Sequence, residues 1–117
     1  MKIAIDAMGG DHAPGEIVKG ALQAAEVYPD LELILVGQEA VLKKDFSHLP
    51  QNVSIHHASE VMEMDESVEN LRKKRDSSIW VATKLVKENQ ADAVVSAGST
   101  AAQMASATLL LKRIKGI

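Results

Sequence analysis

The sequence contains no cysteine, which excludes disulfides, thiolate metal sites and cysteine nucleophiles. Aromatic residues are nearly as scarce, with one Phe, one Trp and one Tyr in 117 residues. Since 46% of the residues are hydrophobic, the core must be built from aliphatic side chains. No apolar run approaches the roughly 20 residues that a spanning helix needs. The N-terminus also lacks the charged-then-apolar layout of a signal peptide. Basic charge is in deficit: 13 Lys and Arg against 16 Asp and Glu leave a formal charge of -3. That removes the basic footprint on which nucleic-acid binding depends. A reducing, cytoplasmic setting is expected, and the length suits one α/β unit over residues 1–117.

What is present is an alternation of strand and helix patterns. Residues 2–7, "KIAIDA", read as a buried strand. A glycine turn follows, then a helix in "PGEIVKGALQAAEVYP" with Pro14 and Glu16 in its first turn. Ile17, Ala21, Ala24 and Tyr28 recur at helical spacing and are expected to face the core. Further strands are expected in "LELILVG", "NVSIHHA" and "ADAVVSAG". Helices are expected at 39–45, 67–75, 78–89 and 100–112, the third carrying a stripe of Ile79, Ala82, Leu85 and Val86. Residues 59–66 read as acidic and irregular. This order implies right-handed βαβ crossovers, hence an α/β fold with a parallel sheet between two helical layers, Rossmann-like in kind. The abrupt stop after the last helix is expected to leave a poorly covered sheet edge and marginal stability, as in part of a longer fold.

Ligands of such sheets bind beyond the carboxyl ends of the strands, and two turns there carry chemistry. In "DAMGGDHAP" (6–14), Asp6 ends a strand, with its carboxylate expected to point into the crevice. Gly9 and Gly10 let a ligand approach the main chain. Asp11 and His12 make a candidate acid/base pair near neutral pH. The other reading is an Asx-type turn, with Asp11 capping the helix and His12 solvated. In "SAGSTAA" (96–102), Gly98 permits close approach, and the Ser99 and Thr100 hydroxyls with the first helical amides suit a phosphate. The same donors serve a plain N-cap, so both readings stand.

The run "RKKR" (72–75) is the dense positive stretch of an acidic chain. On a helix these side chains wrap round the axis, which suits a solvated end, or else contact with an anionic partner through Arg72, Lys73 and Lys74. "DSS" (76–78) is placed to cap the helix that follows. His56 and His57 are adjacent in a strand and point to opposite faces, and His48 lies by a loop, so no metal site is expected. Neither G-x-G-x-x-G nor G-x-S-x-G occurs, so neither a dinucleotide cofactor nor a serine hydrolase is indicated.

Taken together, these residues resemble the start of the PlsX family of phosphate acyltransferases. The family opens with a strand running into "DAMGGDHAP", and residues 6–14 match without a change. "RKKRDSS" resembles its basic run followed by two serines, with some Lys/Arg exchange, and "ADAVVSAG" and "LKRIKGI" are similar too. The resemblance covers all 117 residues. It implies a fold like that of the isocitrate and isopropylmalate dehydrogenases. It also implies acyl transfer from acyl-[acyl carrier protein] to orthophosphate, giving acyl phosphate for phospholipid synthesis. Family members act as homodimers, with no metal or nucleotide cofactor, and associate loosely with the membrane. On this basis Asp6, Gly9, Gly10, Gly98, Ser99 and Thr100 are expected to shape a phosphate and substrate cradle. Asp11 and His12 are expected to be catalytic, and Arg72, Lys73 and Lys74 to meet phosphate or the carrier protein.

Two departures accompany the match. Where the family reads "AGNTGA" this chain has "AGSTAA", with Ser99 for Asn and Ala101 for Gly. The first loses an amide that both donates and accepts, and the second adds a methyl group, so weaker binding at this turn is expected. The family also continues well past the position of Ile117. These departures support a rival expectation, a truncated module that binds an anion or a partner without catalysis. A nicotinamide dehydrogenase is suggested by fold similarity alone, which does not decide function.

Overall fold

The computed structural model describes residues 1–46 and 48–116. Strands β1 (Lys2–Asp6), β2 (Glu32–Gly37), β3 (Val53–His57) and β4 (Ala93–Val95) form one parallel sheet in the order β3-β2-β1-β4. Helices α1 (Gly15–Val27), α2 (Glu39–Asp45), α3 (Ser78–Lys87) and α4 (Thr100–Leu110) connect or follow them. The α/β, parallel-sheet class read from the sequence is the one observed.

Alternation along the strands sends side chains to two helical layers. From β1 and β2, Ile3, Ile5, Leu33 and Leu35 face α1 and α2, meeting Val18, Ala21, Ala25 and Leu42. Ala4, Ile34 and Val36 face the opposite side, where α3 brings Ala82 and Leu85. Leu35 and Leu42 are wholly buried; each such side chain contributes about 1.5–3 kcal/mol. Helix α4 joins neither cluster and packs against α3 and a 3₁₀ turn at Val68–Arg72, around Met62, Leu71, Ile79 and Ala102.

Several boundaries differ from expectation. In α1 the fully buried positions are Val18, Ala21 and Ala25. Of the expected face Ala21 is buried and Ala24 packs half-buried against the core, Ile17 lies at its margin, and Tyr28 is exposed just beyond the helix. The helix expected at 67–75 is only the 3₁₀ turn. Ser67 accepts from the Glu69 amide, and Lys74 folds back to Glu66 and to the Val61 carbonyl, so the chain turns instead of continuing. Strand β4 stops at Val95, and the next residue, Ser96, turns its side chain inward to Asp6. Helices α3 and α4 end short of Asn89 and Lys112, whose left-handed backbone (φ 61° and 63°) breaks helical geometry.

The β4 edge and the outer face of α4 leave apolar side chains in solvent, among them Val95, Met104, Leu109 and Leu111. Among the described residues no helix is long and apolar enough to cross a membrane.

Candidate functional site

Strands β1 and β4 are neighbours although β2 and β3 intervene in sequence. Strand order therefore reverses between them, and open α/β sheets take ligands at the carboxyl ends beside such a reversal. β1 ends at Asp6 and β4 at Val95. The two turns singled out by their glycines and polar residues leave the sheet side by side here.

The turns are packed backbone to backbone. A Cβ on Gly98 would come within 3.0 Å of the Gly9 Cα. A Cβ on Gly9 would overlap the Asp6 carboxylate, 2.9 Å from its Cγ, and would lie 3.0 Å from Ser96 Oγ. Gly10 has φ 117°, a conformation other residues rarely adopt, and its Cβ would press on the Ala97 carbonyl at 3.2 Å. The first task of these glycines is thus to let one turn lie on the other.

Beneath them sits Asp6, only 3% exposed. Its Oδ1 accepts from Ser78 Oγ at 2.5 Å and from the Met8 amide at 3.3 Å, and its Oδ2 accepts from Ser96 Oγ at 2.8 Å. The expectation that Asp6 points into the crevice is corrected: a strand-end carboxylate with hydroxyls below it gains more by turning inward than by facing solvent. Ser78 and Ser96 are the partners of Asp6 that reading the sequence misses. Ser96 meets Asp6 because β4 lies beside β1, where Ile5 pairs with Val95 and brings Asp6 level with Ser96, and Ser78 meets it because α3 packs against β1. Nothing local in the sequence carries that adjacency.

At the start of α4, Ser99 Oγ accepts from the Ala102 amide at 3.2 Å, so Ser99 is an N-cap. The cap leaves the Thr100 and Ala101 amides without partners among the described residues, at the positive end of the helix dipole. Thr100 is exposed beside them. The methyl group of Ala101 is also exposed and does not enter the contact between the turns.

Asp11 and His12 lie further along the first turn, exposed, their side chains unbonded among the described residues. Asp11 does not cap α1, which begins after Pro14 without a side-chain cap. A hollow of about 530 Å³ adjoins Gly10 and Asp11 and is faced from the opposite segment by Val61, Glu63 and Asp65. Three carboxylates there oppose an anion, so of the two turns the α4 side has the sign that phosphate needs.

The basic run divides. Arg72 and Lys73 are exposed, and Arg72 borders an apolar groove of about 650 Å³ shared with Leu71, Ala101 and Met104. Lys74 is not free for a ligand: its Nζ donates to Glu66 Oε1 at 2.9 Å and to the Val61 carbonyl at 3.0 Å. The ammonium, with the Glu63 amide, holds the Glu66 carboxyl below its usual range. Ser77 caps α3, as "DSS" suggests, accepting from the Trp80 amide. Asp76 instead receives the Ser59 hydroxyl at 2.5 Å and the Ser59 amide at 2.8 Å, which hold its carboxyl low, assisted by His57 and His56. These bonds fasten the segment after β3 to the start of α3 and hence to Ser78. His57 accepts from the Glu39 amide through Nδ1 at 3.1 Å.

The family described as "Fatty acid synthesis protein" matches residues 1–117. A phosphate acyltransferase of Desulfitobacterium hafniense (strain DSM 10664 / DCB-2) is 59% identical over 120 residues, covering 100% of this chain and 36% of its own length. One from Heliobacterium modesticaldum is 57% identical over 122 residues, covering 100% and 36%. Another, from Thermoanaerobacter pseudethanolicus, is 50% identical over 118 residues, covering 100% and 35%. The chain thus spans about a third of the length of the curated relatives it matches. It belongs to the fatty acid synthesis protein family, the PlsX family that its opening motif resembles.

Proposed function

We propose that this chain carries the phosphate side of a site that transfers a fatty acyl group from acyl-[acyl carrier protein] to orthophosphate. The observation that carries the reading is the packing of the Gly9 turn on the Gly98 turn at the strand-order reversal, with unpaired Thr100 and Ala101 amides beside it. Membership of a family whose relatives are named phosphate acyltransferases supports it.

In this reading the Thr100 and Ala101 amides and the Thr100 hydroxyl hold the phosphate, while Gly9, Gly10 and Gly98 keep the main chain close. A phosphate oxygen attacks the thioester carbonyl, the new C–O bond forms, and the C–S bond breaks as the thiolate leaves with a proton. Amides near the carbonyl oxygen stabilise the oxyanion that develops. His12 and Asp11, exposed and unbonded, are free to orient substrate or move that proton. Arg72 and Lys73 offer opposite charge to an acidic carrier protein, which speeds encounter more than it adds affinity. Association with a second copy, and loose attachment to a membrane from a cytoplasmic setting, belong to the same reading and rest on the family resemblance.

The test places residues 1–117 in the D. hafniense enzyme in place of the part they match. It then follows phosphate-dependent release of free carrier protein from a long-chain acyl-[acyl carrier protein]. Turnover is expected, falling at least tenfold for His12→Ala, in line with general acid–base contributions of 10²–10⁴. A folded chimera that binds phosphate without turnover would favour a binding module, and unchanged phosphate affinity and turnover in His12→Ala would remove His12 from the chemistry.

A further inference from the structure

Asp6 is a buried ionisable group that the proposed chemistry leaves without a task. Burying a carboxylate costs several kcal/mol unless its oxygens are filled, and here both are. The bonds lead in two directions. Through Oδ1, Asp6 receives the hydroxyl of Ser78 at the start of α3. Through Oδ2 it receives the hydroxyl of Ser96, whose oxygen in turn accepts the Gly98 amide at 3.1 Å. A serine has one proton to give. With that proton committed to Asp6, the Ser96 lone pairs are turned toward Gly98, two residues before the unpaired amides of α4.

We propose that Asp6 is a positioning residue for the phosphate turn. Acting through Ser96, it orients Gly98, and thereby the Thr100 and Ala101 amides, without touching the anion. The inference rests on the reading that this turn binds phosphate, and it assigns the two arms different duties. The Ser96 arm aims the turn, whereas the Ser78 arm anchors α3.

The distinction gives a readout that a purely structural role would not move. Ser78→Ala and Ser96→Ala each remove one hydroxyl bond to the same carboxylate, so both are expected to lower stability. Only the second should weaken phosphate binding. Asp6→Asn keeps the shape but presents an N–H donor to one serine, which competes with the Gly98 amide for Ser96 Oγ.

The experiment is a titration of the chain with inorganic phosphate, followed through the backbone amide resonances of residues 98–102. In the wild type these signals should shift and saturate. Ser96→Ala and Asp6→Asn should keep a dispersed spectrum and lose roughly tenfold in affinity, the size of one charge-assisted hydrogen bond. Ser78→Ala should stay within about twofold of wild type. Equal losses in Ser78→Ala and Ser96→Ala would overturn the proposal, as would undiminished binding in Ser96→Ala. Wild-type amides that ignore phosphate would instead overturn the phosphate reading, and this inference with it.

Discussion

Gly98 lies directly on Gly9, so close that a Cβ on the former would stand 3.0 Å from the Cα of the latter. The contact joins the end of β1 to the start of α4 and roofs the buried Asp6 carboxylate. A methyl group on Gly9 must displace the Asp6 carboxylate, which is held by three hydrogen bonds. Gly9→Ala is therefore expected to cost about 1–3 kcal/mol, the usual range for overpacking. Gly98→Ala meets its closest neighbour at a backbone atom and is expected to cost a comparable amount. Urea unfolding of both variants checks this; midpoints at the wild-type value would mean that the turns separate freely.

Gly20 is the contrasting case. It sits in the exposed face of α1, and a methyl group placed on it would meet nothing within 4 Å. Gly20→Ala should stabilise the chain by roughly 0.5–1 kcal/mol, because alanine loses less backbone freedom on entering a helix. A lower thermal midpoint for this variant would contradict the placement of α1.

The basic run divides by its contacts in a way that charge alone does not reveal. Lys74→Met removes the tie to Glu66 and Val61 and should destabilise the fold while leaving Glu66 unpaired. Lys73→Met, exposed and without an ion pair among the described residues, should stay within about 0.5 kcal/mol of wild type. On the proposed carrier-protein reading, its effect is expected in the association rate with acyl carrier protein and in the salt dependence of that rate. Parallel unfolding curves and rate measurements on the two variants test the separation.

The sequence patterns disclose the layers because strands and helices bury faces at periods of two and 3.6 residues, and these can be read locally. The rotation of the α1 core face toward Val18 and Ala25, which leaves Ala24 half-buried at its margin and Tyr28 outside, has a different cause. Ile17, Ala21, Ala24 and Tyr28 satisfy the helical period equally well, and the choice is made by where Leu33 and Leu35 lie across the layer. Similarly, the two glycine turns are legible as motifs, while their mutual contact is not. Ser78 and Ser96 lie 72 and 90 residues from Asp6 in sequence, and they reach it only because α3 packs against β1 and β4 neighbours β1. The 3₁₀ turn is obscured by the helix-like composition of 67–75, which gives no sign that Lys74 folds back.

Acid should loosen the segment between β3 and α3 before it reaches the sheet. Asp76 has its carboxyl lowered by the Ser59 bonds, and Glu66 by Lys74. A folded-state value below the unfolded one, near 3.9 for Asp and 4.3 for Glu, contributes stability that is present above those values. That stability is lost as pH falls through the lower folded values. Asp76→Asn should therefore lower stability at pH 7 and flatten its decline below about pH 4, where wild type loses the same bonds by protonation. Urea midpoints from pH 7 to pH 3 give the comparison; parallel wild-type and variant profiles would show that Ser59 contributes nothing through Asp76.

Ser99 tests whether capping and anion binding compete at the start of α4. Its hydroxyl accepts from the Ala102 amide, whereas the Thr100 and Ala101 amides remain open. On the proposed reading the cap and a phosphate use different amides, and both can be held together. Ser99→Ala should cost about 1 kcal/mol, as for other lost caps, which lowers the thermal midpoint by about 4 °C in a domain of this size. Ser99→Asn should hold the cap, since asparagine serves that position as well as serine. Added phosphate should raise the midpoints of wild type and Ser99→Asn by the same increment, because binding to the folded state stabilises it in proportion to its saturation. A phosphate increment that disappears in Ser99→Ala would show that the hydroxyl itself holds the anion, and would move the site from the open amides to the cap.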